Sequence, residues 1–278
     1  MMSKKKVLGL CIIILCAAGA LFSGGMLWKK HMEAEKSRMA FEELAGHVST
    51  NEMMNELGLT ESREIDQEVK QTGMILTEQE KETLEWMRAH EIYGEFYEKN
   101  PDFVGWICID GTNINYPVMQ TPDDPDYYLK HSFEHEYSDY GVPYLDEACV
   151  LGESNNYVIY GHHMKNGSMF YDLDGYADPE FCKEHPVIRF DTLSGFGQYE
   201  VIAVFRFNTE RDKFRYDQGV NMTEEEYGQY IKQVHERELY STSKTAQYGD
   251  QLLTLSTCEY TYRNGRLVVV ARKVVDDE

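Results

Sequence analysis

The chain has 278 residues, of which 42% are hydrophobic and 27% charged, a composition typical of packed globular proteins and not of disordered ones. The formal net charge is −21, and because an acidic surface repels phosphate backbones, a nucleic-acid partner is disfavoured. The cysteines contain no Cys-x-x-Cys pair, which argues against zinc ribbons, thioredoxin-type redox sites and dense disulfide scaffolds.

Residues 7–28 form an uncharged, mostly apolar stretch. As a helix this stretch would be about 33 Å long, enough to cross the hydrocarbon core of a bilayer. A cleaved signal peptide is the alternative, since Ala18-Gly19-Ala20 resembles a small-residue cleavage site. We predict an uncleaved transmembrane anchor because the stretch ends in Trp28 and two lysines, an interfacial pattern. Residues 1–6 are then cytoplasmic, and the rest of a single-pass cell-membrane protein is extracellular.

Residues 29–75 are rich in Glu, Lys, Met and Ser, and we interpret them as a stalk that is helical or partly disordered. A folded domain at 76–275 follows. Its first helix begins with Thr77 and Glu80, which match a capping box, and ends at Asn100-Pro101. Apolar residues at spacings of three and four predict that one stripe of this helix is buried. The stripe consists of Trp86, Ala89, Tyr93, Phe96 and Tyr97.

From residue 104 onward the pattern is typical of strands. Seven short β-branched or aromatic segments are separated by Gly, Asp, Asn and Pro: 106–109, 115–119, 157–160, 187–190, 199–207, 252–255 and 267–271. Such a series predicts a mainly β protein, either a barrel or a sandwich. A second capping box, Thr223 with Glu226, predicts one helix inserted at about 223–240.

Two strand ends and one arginine carry side chains suited to chemistry: 160–164 (YGHHM), 254–259 (TLSTCE) and Arg266. Cys258 has polar neighbours, whereas Cys108 lies among apolar residues, so Cys258 is the candidate reactive thiol and a buried structural cysteine is the alternative. His162 and His163 are adjacent and would point to opposite faces of a strand. They therefore form a poor metal site, although a histidine pair always raises that possibility.

These residues resemble the sortases, specifically class B. The resemblance rests on TLSTC at 254–258, on Arg266 leading into LVVVA, and on YGHHM upstream. It extends through 100–120, 126–133 and 166–173, and the helix predicted at 223–240 lies where class B members carry an insertion. Asp124-Pro125-Asp126 and Asp178-Pro179-Glu180 both lack the aromatic residue of the class C lid, which disfavours class C.

The resemblance implies a closed eight-stranded sortase-type β-barrel with N-terminal helices, and it makes 76–275 the catalytic domain. It implies catalytic roles for His162, Cys258 and Arg266. The groove that holds the substrate peptide would be lined by Ser256, Thr257 and Glu259. No metal or organic cofactor is needed for the implied reaction.

The implied activity is that of a cysteine transpeptidase. Cys258 would cleave a C-terminal sorting signal, NPQTN-like or PxTG-like, after its Thr and form a thioester. The acyl group would then pass to an amine of a cell-wall precursor. The alternatives are a thiol endopeptidase that hydrolyses the same peptides, a sortase that polymerises pilins, and a non-catalytic wall-binding module at the membrane.

Overall fold

The computed structural model describes residues 4–259 and 264–274, with the side chains at 4–18, 20 and 259 left outside that description. The helices are α1 (Lys4–Glu56), α2 (Glu61–Thr72), α3 (Glu78–Lys99), α4 (Pro179–Glu184) and α5 (Glu224–His235). Short 3-10 helices lie at Tyr127–Leu129, Phe170–Ala177 and Tyr216–Gln218. The strands are β1 (Phe103–Cys108), β2 (Asn115–Met119), β3 (Tyr144–Leu145), β4 (Asn156–Gly161), β5 (Val187–Thr192), β6 (Gln198–Asn208), β7 (Leu252–Glu259) and β8 (Gly265–Lys273).

The chain divides into two compact units, residues 1–41 and 42–278. The prediction of a single-pass membrane protein with a spanning helix at 7–28 is wrong for the residues that the structure describes, because none of their helices is long and apolar enough to cross a membrane. The side chains of residues 7–18 and 20 of the predicted span lie outside the described residues.

Helix α3 begins and ends where its sequence signals predict. The Thr77 hydroxyl accepts a hydrogen bond from the amide of Glu80, and the Glu80 carboxylate accepts one from the Thr77 amide at 2.8 Å. The buried stripe differs from the prediction, because Trp86 and Tyr97 are 49% and 46% exposed. The buried side chains of α3 are Leu84, Ala89, Ile92, Tyr93 and Phe96.

Most of the residues predicted as a stalk are helical in the structure, within α1 and α2. Several polar contacts join the later part of this segment to α3. The Asn51 side-chain amide donates to the Ile92 carbonyl at 3.0 Å, and the Ser62 amide donates to the Glu91 carboxylate at 2.9 Å. The boundary placed at residue 76 stays a prediction.

The eight strands close into a barrel in the order β1-β2-β3-β4-β7-β8-β6-β5, with β5 returning to β1. Two of the pairings, β2 with β3 and β4 with β7, are parallel, and the others are antiparallel. The prediction of a closed eight-stranded barrel is confirmed. The strand that the residue pattern alone did not indicate is β3, which has two residues.

Helix α5 lies in the connection between β6 and β7 and starts with the predicted capping box at Thr223. Its buried residues are Tyr227, Tyr230, Ile231 and Val234. The helix ends at His235 and not near 240. Beyond its end, the Leu239 amide donates to the Val204 carbonyl of β6 at 2.8 Å.

Candidate active site

Three neighbouring strands bring the three predicted catalytic residues together. Strands β7 and β8 are antiparallel, with Cys258 directly opposite Arg266, and side chains of directly opposed residues project from the same face. Strands β4 and β7 are parallel, with Gly161 beside Thr257. The next residues along these two strands are His162 and Cys258. Since neighbouring strands lie about 4.8 Å apart, all three residues occupy one end of the β4-β7-β8 sheet.

The connection between β6 and β7 covers the Cys258 face of β7. Thr254 and Ser256 share that face because side chains alternate along a strand. The Tyr230 hydroxyl lies 3.3 Å from the Thr254 hydroxyl, and the Tyr216 hydroxyl lies 2.7 Å from that of Ser256. Thr254 and Ser256 are buried, whereas Cys258 is partly exposed. The connection between β6 and β7 therefore covers Thr254 and Ser256 but leaves the candidate nucleophile Cys258 partly exposed.

The residues predicted to line the peptide groove occupy different environments. Ser256 and Thr257 are buried, at 2% and 1% exposure. The Thr257 hydroxyl donates to the Gly161 carbonyl at 2.8 Å, which fastens β7 to β4 next to His162. The side chain of Glu259 lies outside the described residues. Contact of these three with a peptide stays a prediction.

The imidazole of His162 is held by a backbone carbonyl. Its Nε2 lies 2.7 Å from the carbonyl oxygen of Leu129. Because a carbonyl only accepts hydrogen bonds, Nε2 carries a proton, and Nδ1 is the nitrogen that gains and loses one. Burial lowers the pKa of His162, and the bond to the Leu129 carbonyl opposes this. Lys130 and Arg266 also lower this pKa, while Asp139 raises it.

The neighbouring histidine has a different environment. His163 is buried, and its Nε2 lies 2.7 Å from a carboxylate oxygen of Asp174. Its ring packs against Tyr171 with the centroids 4.9 Å apart. The amide of Phe170 donates to the His162 carbonyl at 2.8 Å, so the same segment also holds the backbone of His162. The contacts of His163 with Tyr171 and Asp174 are therefore with the 3-10 helix at 170–177.

Arg266 is partly buried, and its Nη1 donates to the Gly265 carbonyl at 3.2 Å. Tyr144 lies within electrostatic reach of both Arg266 and Cys258. Burial and then the Asp126 carboxylate raise the pKa of Tyr144, Arg266 lowers it, and a charge on Cys258 raises it. The pKa of Tyr144 thus depends on both members of the cross-strand pair.

Tyrosines surround this strand end. The rings of Tyr144 and Tyr160 lie 5.5 Å apart, and the Tyr160 hydroxyl donates to Asp146 at 2.7 Å. The ring of Tyr216 packs edge-on against Phe207 at 5.0 Å.

Sequence reasoning assigned no role to these tyrosines or to the Leu129 carbonyl. Tyr160 and Leu129 do lie in segments that carry the resemblance, 160–164 and 126–133. Strand alternation would also have put Tyr160 on the same face as His162.

Within 4–259 and 264–274, no three His, Cys, Asp or Glu side chains are grouped so as to hold a metal ion. Cys108, Cys149, Cys182 and Cys258 are free thiols. The arrangement at the strand end therefore combines a thiol, an imidazole with one exchangeable proton, and a guanidinium. These are the parts needed for acyl transfer through a covalent intermediate.

Comparison with known proteins identifies the family. A family model of the sortase domain matches residues 107–274, more than half of the chain, and the chain belongs to the sortase family. Sortase B of Listeria monocytogenes is 35% identical over 178 residues, covering 63% of this chain and 71% of that protein. Sortase B of Staphylococcus aureus is 33% identical over 176 residues, covering 62% and 70%. The chain is a class B sortase, as the sequence predicted.

Solved structures agree with this assignment. The X-ray structure of Clostridium perfringens sortase B matches with a TM-score of 0.61 and 29% identity, covering 66% of this chain and 99% of that one. The crystal structure of Bacillus anthracis sortase B in complex with AAEK1 matches with a TM-score of 0.59 and 34% identity, covering 66% and 84%. Sortases are cysteine transpeptidases, and the chain is an enzyme of this type.

Proposed function

We propose that this enzyme cleaves a C-terminal sorting signal after its Thr and joins the new carboxyl end to an amine of a cell-wall precursor. The catalytic residues are Cys258, His162 and Arg266, within a catalytic domain at 76–275. The observation that carries the proposal is the strand register, which sets Cys258 opposite Arg266 and His162 at the end of the next strand.

The reaction begins with the thiolate of Cys258. A positive charge on His162 and the guanidinium of Arg266 favour this form of the sulfur. The sulfur attacks the carbonyl carbon of the Thr residue, a C–S bond forms, and an electron pair moves onto the carbonyl oxygen. Arg266 donates hydrogen bonds to this oxyanion, since its planar guanidinium is always cationic.

The tetrahedral intermediate then loses the amine. The C–N bond breaks, and the departing nitrogen takes the proton from Nδ1 of His162, while Nε2–H stays on the Leu129 carbonyl. The product is a thioester on Cys258. An incoming amine attacks this thioester, His162 accepts the proton of that amine at Nδ1, and the C–S bond breaks. The net change is the exchange of one amide bond for another.

The sorting motif is NPQTN-like or PxTG-like, and the acceptor is an amine of a peptidoglycan precursor. Ser256, Thr257 and Glu259 belong to the peptide groove in this proposal. Because the Ser256 and Thr257 side chains are buried and hydrogen-bonded within the protein, their part is limited to the floor of the groove.

The test is the Cys258→Ala variant of the full chain, incubated with a panel of sorting peptides. We expect no acyl-enzyme by intact-mass measurement and an unchanged melting temperature Tm. The matched control is Cys108→Ala, which removes another partly buried thiol and should retain acylation. Turnover that survives Cys258→Ala would contradict the proposal.

The product mixture separates the alternative activities. Adding candidate amines should replace the hydrolysed peptide with an amine-linked product. Hydrolysis that continues unchanged at every amine concentration would identify a thiol endopeptidase. Products containing several linked copies of a pilin substrate would instead identify a polymerising sortase.

A further inference from the structure

The carbonyl that holds His162 belongs to a loop with its own buried anchor. Leu129 ends the 3-10 helix at Tyr127–Leu129, which lies between β2 and β3. The residue before it, Tyr128, is 0% exposed. Its side chain points away from solvent, so it cannot meet a peptide substrate. Its contacts nevertheless determine where the Leu129 carbonyl lies.

The hydroxyl of Tyr128 forms hydrogen bonds with two residues from the junction of α3 and β1. The side-chain amide of Asn100 donates to this hydroxyl at 2.8 Å, and the hydroxyl donates to a carboxylate oxygen of Asp102 at 2.8 Å. Asn100 is 1% exposed, and its amide also donates to the Phe133 carbonyl at 2.6 Å. A buried polar cluster whose members are satisfied in this way is rigid.

The backbone around Tyr128 is equally constrained. The Val142 amide donates to the Tyr128 carbonyl at 3.0 Å. Gly141 has a φ of +60°, and a Cβ there would lie 2.9 Å from the Leu129 carbonyl oxygen and closer still to that of Tyr128. The backbone at Gly141 therefore passes so close to the two carbonyl groups that no side chain fits there. Together with the hydroxyl anchor, this contact fixes the direction of the Leu129 carbonyl.

We propose that Tyr128 is a positioning residue for catalysis: its hydroxyl, clamped between Asn100 and Asp102, fixes the Leu129 carbonyl and thereby holds the His162 ring in one tautomer and one orientation. The proposal rests on the acid–base role of His162 given above. Tyr128 acts through the carbonyl and does not touch substrate. The Asn100–Tyr128 contact therefore links the end of α3 to the active site.

Charged and titratable groups on both sides bear on the test. Facing His162 are Arg266 and Lys130, the latter paired with Asp139 at 3.0 Å. Facing Tyr128, besides Asp102 and the adjacent Tyr127, is His135, whose Nδ1 lies 3.4 Å from the hydroxyl. Burial lowers the pKa of His162, and the carbonyl bond opposes this by favouring the protonated ring. Loosening that bond should therefore lower this pKa further.

The test is Tyr128→Phe, which removes the hydroxyl and keeps the ring. The matched control is Tyr127→Phe in the same turn, where the described residues provide no hydrogen bond for the hydroxyl. The pKa of His162 is measured by NMR titration of the full chain, with its signal assigned by loss in His162→Ala. We expect a lower pKa in Tyr128→Phe and an unchanged one in Tyr127→Phe. We also expect kcat to fall about fivefold to tenfold, with KM for the peptide unchanged.

A His162 pKa equal to that of the wild type in folded Tyr128→Phe would overturn the proposal. If that variant does not fold, Asp102→Ala replaces it, because this change removes only the acceptor of the Tyr128 hydroxyl at a partly exposed position. The same downward shift is expected there. The titration needs no turnover, so it gives an answer even if Cys258→Ala shows that the proposed function is wrong.

Discussion

The barrel contains two cross-strand pairs of a cysteine opposite an arginine. On β1 and β5, Cys108 lies opposite Arg189, and on β7 and β8, Cys258 lies opposite Arg266. Both pairs are antiparallel, and both thiols are partly exposed. The residue types and the register are thus the same, and any difference in chemistry has to come from what surrounds each pair.

In the first pair, carboxylates balance the positive charge of Arg189. Arg189 contacts Glu52 at 3.0 Å and Asp191 at 3.2 Å, and Asp191 also accepts a hydrogen bond from the Tyr93 hydroxyl at 2.7 Å. Burial raises the pKa of Cys108 to about 11, and Arg189 only partly opposes this. The Cys108 sulfur is therefore a protonated thiol at neutral pH.

At the second pair, Arg266 makes no ion pair with the described residues, and the imidazole of His162 comes from the adjacent strand. In the proposed mechanism, a cysteine opposite an arginine is thus insufficient to make a nucleophile. The arginine has to keep its charge available, and a proton carrier has to stand beside the sulfur.

The largest expected effect is in the reactivity of the two thiols. With a pKa of about 11, only on the order of one Cys108 in ten thousand is a thiolate at pH 7. In the proposed mechanism Cys258 reacts as a thiolate, so we expect iodoacetamide to modify it at least about a hundredfold faster than Cys108, the factor by which the raised pKa lowers the Cys108 thiolate population. The measurement is the modification rate of each tryptic peptide by mass spectrometry. Equal rates would contradict the view that the surroundings of the two cysteines set their reactivity.

The next effect is in the two arginines. Arg266→Lys keeps the charge but loses the planar fork, and we expect kcat to fall roughly a hundredfold with Tm unchanged, the cost of one oxyanion donor. Arg189→Lys should instead reduce stability and leave kcat nearly unchanged. It weakens the ion pair with buried Asp191, so we expect a loss of about 1–3 kcal/mol in the free energy of unfolding and near-normal kcat. Urea unfolding and steady-state kinetics on both variants check this. A large rate loss in Arg189→Lys would contradict it.

Much of the fold follows from local sequence signals. The capping boxes at Thr77 and Thr223 give the starts of α3 and α5 because cap hydrogen bonds form within four residues. Strand β3 carries no such signal, since its two residues are too few to show an alternating pattern. The stripe on α3 was misjudged at Trp86 and Tyr97, because periodicity identifies an apolar face but not the partner that covers it.

The candidate site divides in the same way. Cys258 and Arg266 are eight residues apart. Two strands that lie so near each other in the sequence readily form a hairpin, so their pairing can be predicted from the sequence. The hydrogen bond that orients His162 cannot be predicted in this way, because its acceptor is the backbone carbonyl of Leu129, which has no sequence signature. The pair of Cys108 and Arg189 is likewise set by the closure of the barrel, which joins β1 to β5.

The smallest expected change in kcat concerns the tyrosines beside the two pairs. Tyr93→Phe removes a hydrogen bond to the buried carboxylate of Asp191, and we expect a loss of about 1.5–3 kcal/mol in the free energy of unfolding with kcat unchanged. Tyr216→Phe removes a neutral bond to Ser256 and keeps the ring packing, so about 1 kcal/mol should be lost, with kcat reduced only a few-fold. Tyr248→Phe, at a 54% exposed position, is the control for both. If Tyr93→Phe reduced kcat more than Tyr216→Phe did, the carboxylate cluster would act on catalysis, and the two pairs would not be independent. Urea unfolding and steady-state kinetics on the three variants decide this.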